Sequence, residues 1–475
     1  MRLQHAFGQA VDLAAAFLLS RRFKARDGWS RERLLAYQRD AFRAIVRHAA
    51  HASSFYRTLY RGIDLGDGLQ PSQLPVTNKR LLMDSLETVV TDPRLSRAVL
   101  DRHLAGATGD TLLFDDYRVV ATAGTSGLRG LFVYDRQAWR TVLANTLRWQ
   151  HFSGIAPRFP SRVRICSIGA DNPMHVTSRI PMSGDIGLFR IRHLLAADPI
   201  ERLVASLSAF QPDVILPYPS VAALLAREQL AGRLSISPRV IATHSELLTP
   251  EMARLIEQAW GTRPFNHYGL TEEPHVGADC THHAGLHLFE DTTLIEIVDD
   301  DFRPVADGTL GTRYLLTNLY NRAQPLIRYE VTDMLARAPG LCACGRPFGL
   351  IAAMGGRAED LLHLPRADGR PGEVSVTPML VSLAVEAFLG VREYAVEHDA
   401  GGIRIRLVVR DADDRQRIGE ALPARLAADI ASHGAVAPPI MLEFLDGLAR
   451  SEQRMGKHSV VSRRRGGAAE PGRKA

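Results

Sequence analysis

Leu35, Phe42, Ile45, Val46 and Ala49 recur at helical spacing with Arg and His between them, which predicts an amphipathic helix near the start of the chain. Ahead of it, Ala6–Phe23 is apolar in patches, but Gln9 and Asp12 interrupt the run. It falls well short of the ~18 continuous apolar residues a spanning helix needs. No small-residue cleavage site follows a basic start, so a packing helix is expected, without integral membrane association. Leu74-Pro-Val-Thr-Asn-Lys79 breaks the pattern and opens a further helix.

From Ser161 to Tyr268 short apolar runs alternate with helical ones: Val163–Ile168, Leu203–Phe210, Val214–Leu216, Val221–Leu230 and Val240–Ala242. That alternation predicts a parallel or mixed sheet covered by helices. Leu294–Val298 and Thr312–Leu319 are rich in strand formers, as if a more antiparallel part follows. After Gly355-Gly-Arg357 the texture changes. Tyr394–Glu397, Ile403–Val409 and Ile440–Phe444 read as strands and Ile418–Ser432 as a helix, with Asp399-Ala-Gly-Gly402 as a hairpin connection. The pattern thus predicts an α/β chain with a large N-terminal domain of mixed sheets and helices, residues 1–356, and a small α+β domain, residues 357–462. A disordered basic tail, residues 463–475, follows.

Composition narrows the class without naming it. With 475 residues, 46% hydrophobic and 23% charged, the chain is an ordinary multidomain globular protein. The net charge of +6 is modest and is partly supplied by Arg463-Arg-Arg465. No basic stripe with interleaved aromatics appears, so nucleic acid is not an expected partner. Four cysteines make no disulfide framework and fit a reducing cytoplasm.

Candidate chemistry starts at Thr122-Ala-Gly-Thr-Ser-Gly-Leu-Arg-Gly130, between the runs Tyr117–Ala121 and Gly130–Tyr134. Gly124 and Gly127 allow backbone amides close to a polyphosphate, and Thr122, Thr125 and Ser126 add hydroxyl donors. A plain hairpin turn is the other use of such a segment. It is no Walker loop, because Gly-Lys-Ser/Thr is missing. In Tyr268-Gly-Leu-Thr-Glu272 an aromatic face, the turn residue Gly269, the hydroxyl of Thr271 and the carboxylate of Glu272 fall within five positions. That set suits a base, phosphates and Mg²⁺, although a strand end with a solvated glutamate looks alike. Asp333, closing Pro325-Leu-Ile-Arg-Tyr-Glu-Val-Thr-Asp333, can accept two ribose hydroxyls or cap a turn. Gly356-Arg-Ala-Glu-Asp360 reads as a charged linker or as a hinge whose arginine meets phosphate or ribose. Lys457, after Gly456, can bring a point charge to a phosphate transition state or serve as a solubilising charge.

Cys280, His282, His283 and His287 cluster after the tyrosine motif, and Cys342-Ala-Cys344 follows later. Three thiols and one imidazole from two loops can form a closed tetrahedral Zn²⁺ site, while incidental cysteines and histidines are the alternative. Cys166 lies in an apolar run and reads as core.

In this order the motifs resemble those of the adenylate-forming superfamily (acyl-CoA synthetases, luciferases and peptide-synthetase adenylation domains), and most closely the phenylacetate–CoA ligase group. The resemblance runs from Ala49 to Lys457 and includes Ala49–Tyr60, Leu74–Lys79 and Phe210–Tyr218. It implies an ATP-dependent, AMP-forming acid–thiol ligase with a mobile C-terminal domain. Such an enzyme uses ATP, Mg²⁺ and coenzyme A on a small-molecule carboxylic acid, aryl or arylacetic by family habit. It further implies a phosphate loop at Thr122, Gly124, Thr125, Ser126 and Gly127 and nucleotide contacts at Ser245, Glu246, Asn266, Tyr268, Gly269 and Thr271. Asp333 and Arg357 would grip the ribose, Glu272 would hold Mg²⁺, Glu359 would lie at the hinge, and Lys457, Glu272 and Thr271 would serve catalysis. The zinc ligands would be Cys280, His287, Cys342 and Cys344. A cytoplasmic enzyme is implied, and a homodimer is compatible with it.

Three departures from the family's motifs stand out, and the last bears on the acceptor. Glu330 stands where the family's Arg-Thr-Gly-Asp begins, Glu359 replaces the hinge aspartate, and Leu364–Gly372 replaces the Arg-Gly-x-Asn-Val-x-Pro pattern. An amine or carrier-protein thiol therefore stands beside coenzyme A as acceptor. A nucleotide-binding homologue without turnover is the remaining alternative.

Overall fold

The computed structural model describes residues 2–107, 109–122, 129–157, 161–169, 175–184, 189–388, 390–399, 401–448 and 461–463. They divide into two compact units. One comprises Met1–Leu248 and Met252–Met354; the other comprises Thr249–Glu251, Gly355–Ala449 and the strand Val461–Arg463.

In the first unit β1 (Arg118–Ala121) and β2 (Leu131–Tyr134) form an antiparallel hairpin whose residues are all buried. Next come β3 (Arg164–Gly169), β4 (Arg190–Leu195), β5 (Val214–Pro217), β6 (Val240–His244) and β7 (Phe265–Tyr268). The chain continues through β8 (Gly277–Ala278), β9 (Leu286–Leu288), β10 (Thr293–Val298), β11 (Arg313–Asn318), β12 (Tyr329–Val331), β13 (Asp333–Arg337) and β14 (Leu350–Arg357). One sheet has the order β13-β14-β9-β8-β7-β6-β5-β3-β4. Its β4-to-β7 half is parallel, and the pairs β7–β8, β8–β9 and β9–β14 are antiparallel. Strands β5 and β6 read Val-Ile-Leu-Pro and Val-Ile-Ala-Thr-His, continuous apolar runs suited to a strand covered on both faces. Helices Ile200–Phe210 and Pro219–Leu230 bury Leu203, Leu207, Val221 and Leu225 with Ile215 and Ile241 from the sheet. Strands β10, β11 and β12 make a separate antiparallel sheet.

The opening segment folds as helix Arg2–Arg26, followed by helix Arg31–Ala52, which starts on a Ser30 cap. Asp12 does more than interrupt an apolar run. It is 1% exposed and pairs with Arg136 at 2.7 Å and Arg140 at 2.8 Å, tying the first helix to helix Arg136–Phe152. In the second helix Leu34 is fully buried, whereas Leu35 is only partly so.

In the second unit β15 (Leu362–Pro365) and β16 (Glu373–Val376) form a hairpin, so the departing Leu364–Gly372 segment runs from the end of one strand through the turn. β17 (Val391–Asp399), β18 (Gly402–Val409), β19 (Ile440–Phe444) and β20 (Val461–Arg463) have the order β19-β18-β17-β20. Helix Ala412–Ser432 turns Ile418, Leu422, Leu426 and Ile430, every fourth residue, onto Ile403, Ile405 and Leu407 of β18. Arg463, where the basic tail was expected to begin, closes β20. Among the described residues no helix is long and apolar enough to cross a membrane.

Candidate active site and metal centre

The first unit gathers its chemistry at the end of β7. Tyr268 is the last strand residue, and the chain turns at Gly269. A Cβ at Gly269 would lie 1.9 Å from the Pro274 carbonyl oxygen, so only glycine fits there. The turn closes through Leu270 N–H to Glu273 O at 2.8 Å. The Tyr134 hydroxyl lies 2.8 Å from both the Thr271 and the Glu272 carbonyl oxygens, anchoring the motif to β2. Tyr329 of β12 donates to Glu272 Oε1 at 3.0 Å.

The Tyr268 phenol donates to Asp333 Oδ2 at 2.6 Å. A hydroxyl has one proton to give, so Tyr314, 2.7 Å away, donates in turn to Tyr268. Burial pushes both phenols well above their ordinary pKa, and the Asp333 carboxylate adds to the effect. Both stay neutral donors, and Asp333 receives an ordered two-tyrosine chain.

Glu273, which the sequence reading passed over, faces inward from this turn. It accepts from Asn318 Nδ2 at 2.6 Å and from Tyr320 at 3.1 Å, and burial raises its carboxyl well above the usual range. The signal was the Glu272-Glu273 doublet, but identity alone does not say which carboxylate turns inward.

Ser245, just past β6, has φ of 70°, a left-handed conformation rare for a residue other than glycine or asparagine. Its hydroxyl lies 2.9 Å from His244 Nδ1. Asn266 of β7 places Oδ1 3.4 Å from Thr243 Oγ1. Glu246 Oε2 accepts the Ser220 amide at 3.1 Å, in the first turn of helix Pro219–Leu230.

At the phosphate-loop candidate, Thr122 N–H donates to Gly130 O at 3.0 Å, and Gly130 N–H returns a bond to Thr122 Oγ1 at 2.8 Å. Lys79 Nζ donates to the same hydroxyl at 3.1 Å. Thr122 therefore pins the base of the loop, and Lys79, read from sequence only as a helix start, stands beside it. Gly124, Thr125, Ser126 and Gly127 lie outside the described residues, as does Lys457. Arg357 ends β14, and Glu359 falls in the single turn Ala358–Asp360.

A second constellation joins Cys280, His287, Cys342 and Cys344, whose ligand atoms all lie within 4.8 Å of one another. Cys280 Sγ is 3.9 Å from Cys342 Sγ, and Cys344 Sγ is 3.5 Å from His287 Nε2. A tetrahedron with metal–sulfur bonds of about 2.3 Å and a metal–nitrogen bond of about 2.0 Å sets such edges at about 3.8 and 3.5 Å. The donor set and spacing fit Zn²⁺. His287 is fully buried, and burial lowers its pKa to about 4, which leaves the neutral imidazole a metal needs. Strand β9 carries His287 and pairs with β14 at Leu350, which brings Cys342-Ala-Cys344, just ahead of β14, back to Cys280. His282 and His283 are not in the cluster; His283 Nδ1 lies 2.5 Å from Asp279 Oδ2.

No family model matches the chain. It is similar to the phenylacetate–coenzyme A ligase of Thermus thermophilus, with 30% identity over 190 residues, 38% of this chain and 42% of that protein. Against the phenylacetate–coenzyme A ligase of Pseudomonas putida it is 28% identical over 368 residues, 70% of this chain and 76% of the relative. The match to the Thermus protein thus spans less than half of that relative's length. In fold it is similar to a 2-hydroxyisobutyryl-CoA ligase solved in the postadenylation state with an acyl-AMP, with a TM-score of 0.72 and 18% identity over 90% of this chain and 89% of that one.

Proposed function

We infer, for a chain homologous to the phenylacetate–coenzyme A ligases and folded as an adenylate-forming enzyme, that it is an ATP-dependent, AMP-forming acid–thiol ligase. A carboxylate oxygen of the acid attacks the α-phosphorus of ATP and pyrophosphate leaves, giving an acyl-adenylate. The thiol of coenzyme A then attacks the acyl carbon, and AMP departs. The observation that carries this reading is the Tyr314–Tyr268–Asp333 chain beside Glu272.

Each group has a task within that reaction. Asp333 accepts the ribose hydroxyls, held in place by the Tyr268 phenol. Glu272, with one oxygen fixed by Tyr329, would hold Mg²⁺, which screens charge on the phosphates. The loop rooted at Thr122 and Lys79 would supply amide and hydroxyl donors to the same phosphates. Lys457 would stabilise the charge that develops as the α-phosphate is attacked. Arg357 would assist at the ribose. The four-residue Cys/His cluster would hold a structural zinc, closed to substrate because all four positions are protein ligands. Coenzyme A as acceptor fits a cytoplasmic site of action.

Acid-dependent release of pyrophosphate, followed by an acyl-CoA product when the thiol is present, tests the assignment. Lys457→Ala should lower adenylate formation by on the order of 10²–10³. A rate equal to wild type would remove Lys457 from the chemistry.

A further inference from the structure

We propose that helix Arg2–Arg26 docks the protein on the surface of an anionic lipid bilayer, its outward stripe lying among the headgroups. The inference stands apart from the ligase reading and uses none of the residues assigned to that site.

Three residues fix which way the helix faces. Asp12, Ala16 and Phe23 are buried, and their spacing puts them on one side. Asp12 is held there by Arg136 and Arg140. Rolling the helix to hide its outer side would pull this carboxylate from its ion pairs, so the outer side stays out.

That side is poorly suited to water. From Ala10 to Leu18 the exposed positions are Ala10, Val11, Ala14, Phe17 and Leu18, all of them apolar. Phe17 and Leu18 keep 56% and 62% of their surface exposed, and Val11 keeps 44%. A helix packed on a globular body usually carries polar and charged residues on its outer face. Here the charges come one turn later, where Arg21, Arg22 and Lys24 are exposed. Neither arginine forms an ion pair among the described residues. Asp12 is the only acid in the helix, and it is buried. The outer face is therefore apolar and then purely cationic.

Two occupants compete for such a face. A second copy would lay stripe on stripe, but the apolar strip is only about 12 Å long and about 10 Å wide. That is far below the roughly 800 Å² which each partner buries in a stable interface. An anionic bilayer suits both halves of the face. Val11, Phe17 and Leu18 enter the boundary between headgroups and acyl chains, while the long cationic side chains beside them reach lipid phosphates. The helix lies along the surface, being neither long nor apolar enough to cross.

Flotation of the full chain with vesicles of equal parts phosphatidylglycerol and phosphatidylcholine, beside vesicles of phosphatidylcholine alone, tests this. The protein should float with the anionic vesicles, bind the neutral ones about tenfold or more weakly, and come off as salt rises. Phe17→Ser with Leu18→Ser should cut binding to anionic vesicles by about tenfold or more, and Arg21→Glu with Arg22→Glu should do the same. All four positions are exposed, so both variants should melt with the wild type. Sedimentation without lipid reads the other occupant. A wild-type dimer that becomes monomeric when Phe17 and Leu18 are changed gives the face to a second copy and overturns the proposal. Absence of flotation overturns it too, as does equal flotation of all three proteins, which would put the contact elsewhere. Acid-dependent pyrophosphate release, measured without vesicles, is the separate readout of the ligase reading and should be the same in all three.

Discussion

Tyr268 and Asp333, 65 residues apart in sequence, meet through a 2.6 Å hydrogen bond from phenol to carboxylate. Tyr268 ends β7 of the large sheet and Asp333 opens β13 at that sheet's far edge. The bond also gives the Tyr314–Tyr268 pair its acceptor, so Asp333 has a structural duty as well as the ribose contact assigned to it.

The two duties separate in substitutions. Asp333→Ala should weaken ATP binding by roughly several-fold to a hundredfold and cost about 1–3 kcal/mol of stability, because the buried Tyr268 phenol loses its acceptor. Asp333→Asn keeps an oxygen for Tyr268 and should recover most of the stability but little of the nucleotide affinity. Calorimetric titration with ATP and thermal melts of both variants decide this; equal ATP affinity in all three proteins would leave Asp333 with the structural duty alone.

The cysteine cluster predicts about one zinc per chain in protein purified without tag-borne metal. Cys344→Ser should lower metal content and melting temperature, and a chelator should do the same to wild type. A metal-free protein of undiminished stability would make these residues packing groups.

Asp27 gives the first unit a pH dependence. Burial raises its carboxyl from the ordinary 3.8 to about 6, against the pull of Arg148 and with a push from Asp291. Arg148 Nε is 3.1 Å from Asp27 Oδ1, but neither atom is aligned for a hydrogen bond, so the charge is poorly compensated. A folded-state value above the unfolded one means the folded protein holds this proton more tightly. The contribution is therefore fully present below about pH 4 and is lost as pH rises through about 6. Asp27→Asn, which mimics the protonated form, should stabilise the unit at pH 7.5 by at most about 3 kcal/mol and make no difference at low pH. Melting curves across that range check the sign; a variant less stable than wild type at pH 7.5 would mean that the ion pair with Arg148 outweighs burial.

Some of the geometry around β7 was legible in the sequence. The turn after β7 was marked by Tyr268-Gly269, and the Cys280, His287, Cys342 and Cys344 cluster was visible as residue types that share one chemistry. Strands β5, β6, β18 and β19 read clearly because they are short apolar runs between turn residues. Strand β4 did not, since Arg190-Ile-Arg-His-Leu-Leu195 lies at a sheet edge and keeps its charged side chains. Strand β8 has two residues, too few for any periodicity. Asp12 looked like a break in an apolar run because its partners, Arg136 and Arg140, stand more than a hundred residues away. The roles of Glu273 and Lys79 depend on which way each side chain turns, and tertiary packing sets that.

The most direct test of the account is acid-dependent formation of pyrophosphate and AMP from ATP, read together with the mass of the acyl product. The account predicts pyrophosphate only when a suitable carboxylic acid is present, one AMP per acid activated, and an acyl-CoA thioester once coenzyme A is added. ATP left intact across a broad panel of acids, or cleaved to ADP and phosphate, would contradict it.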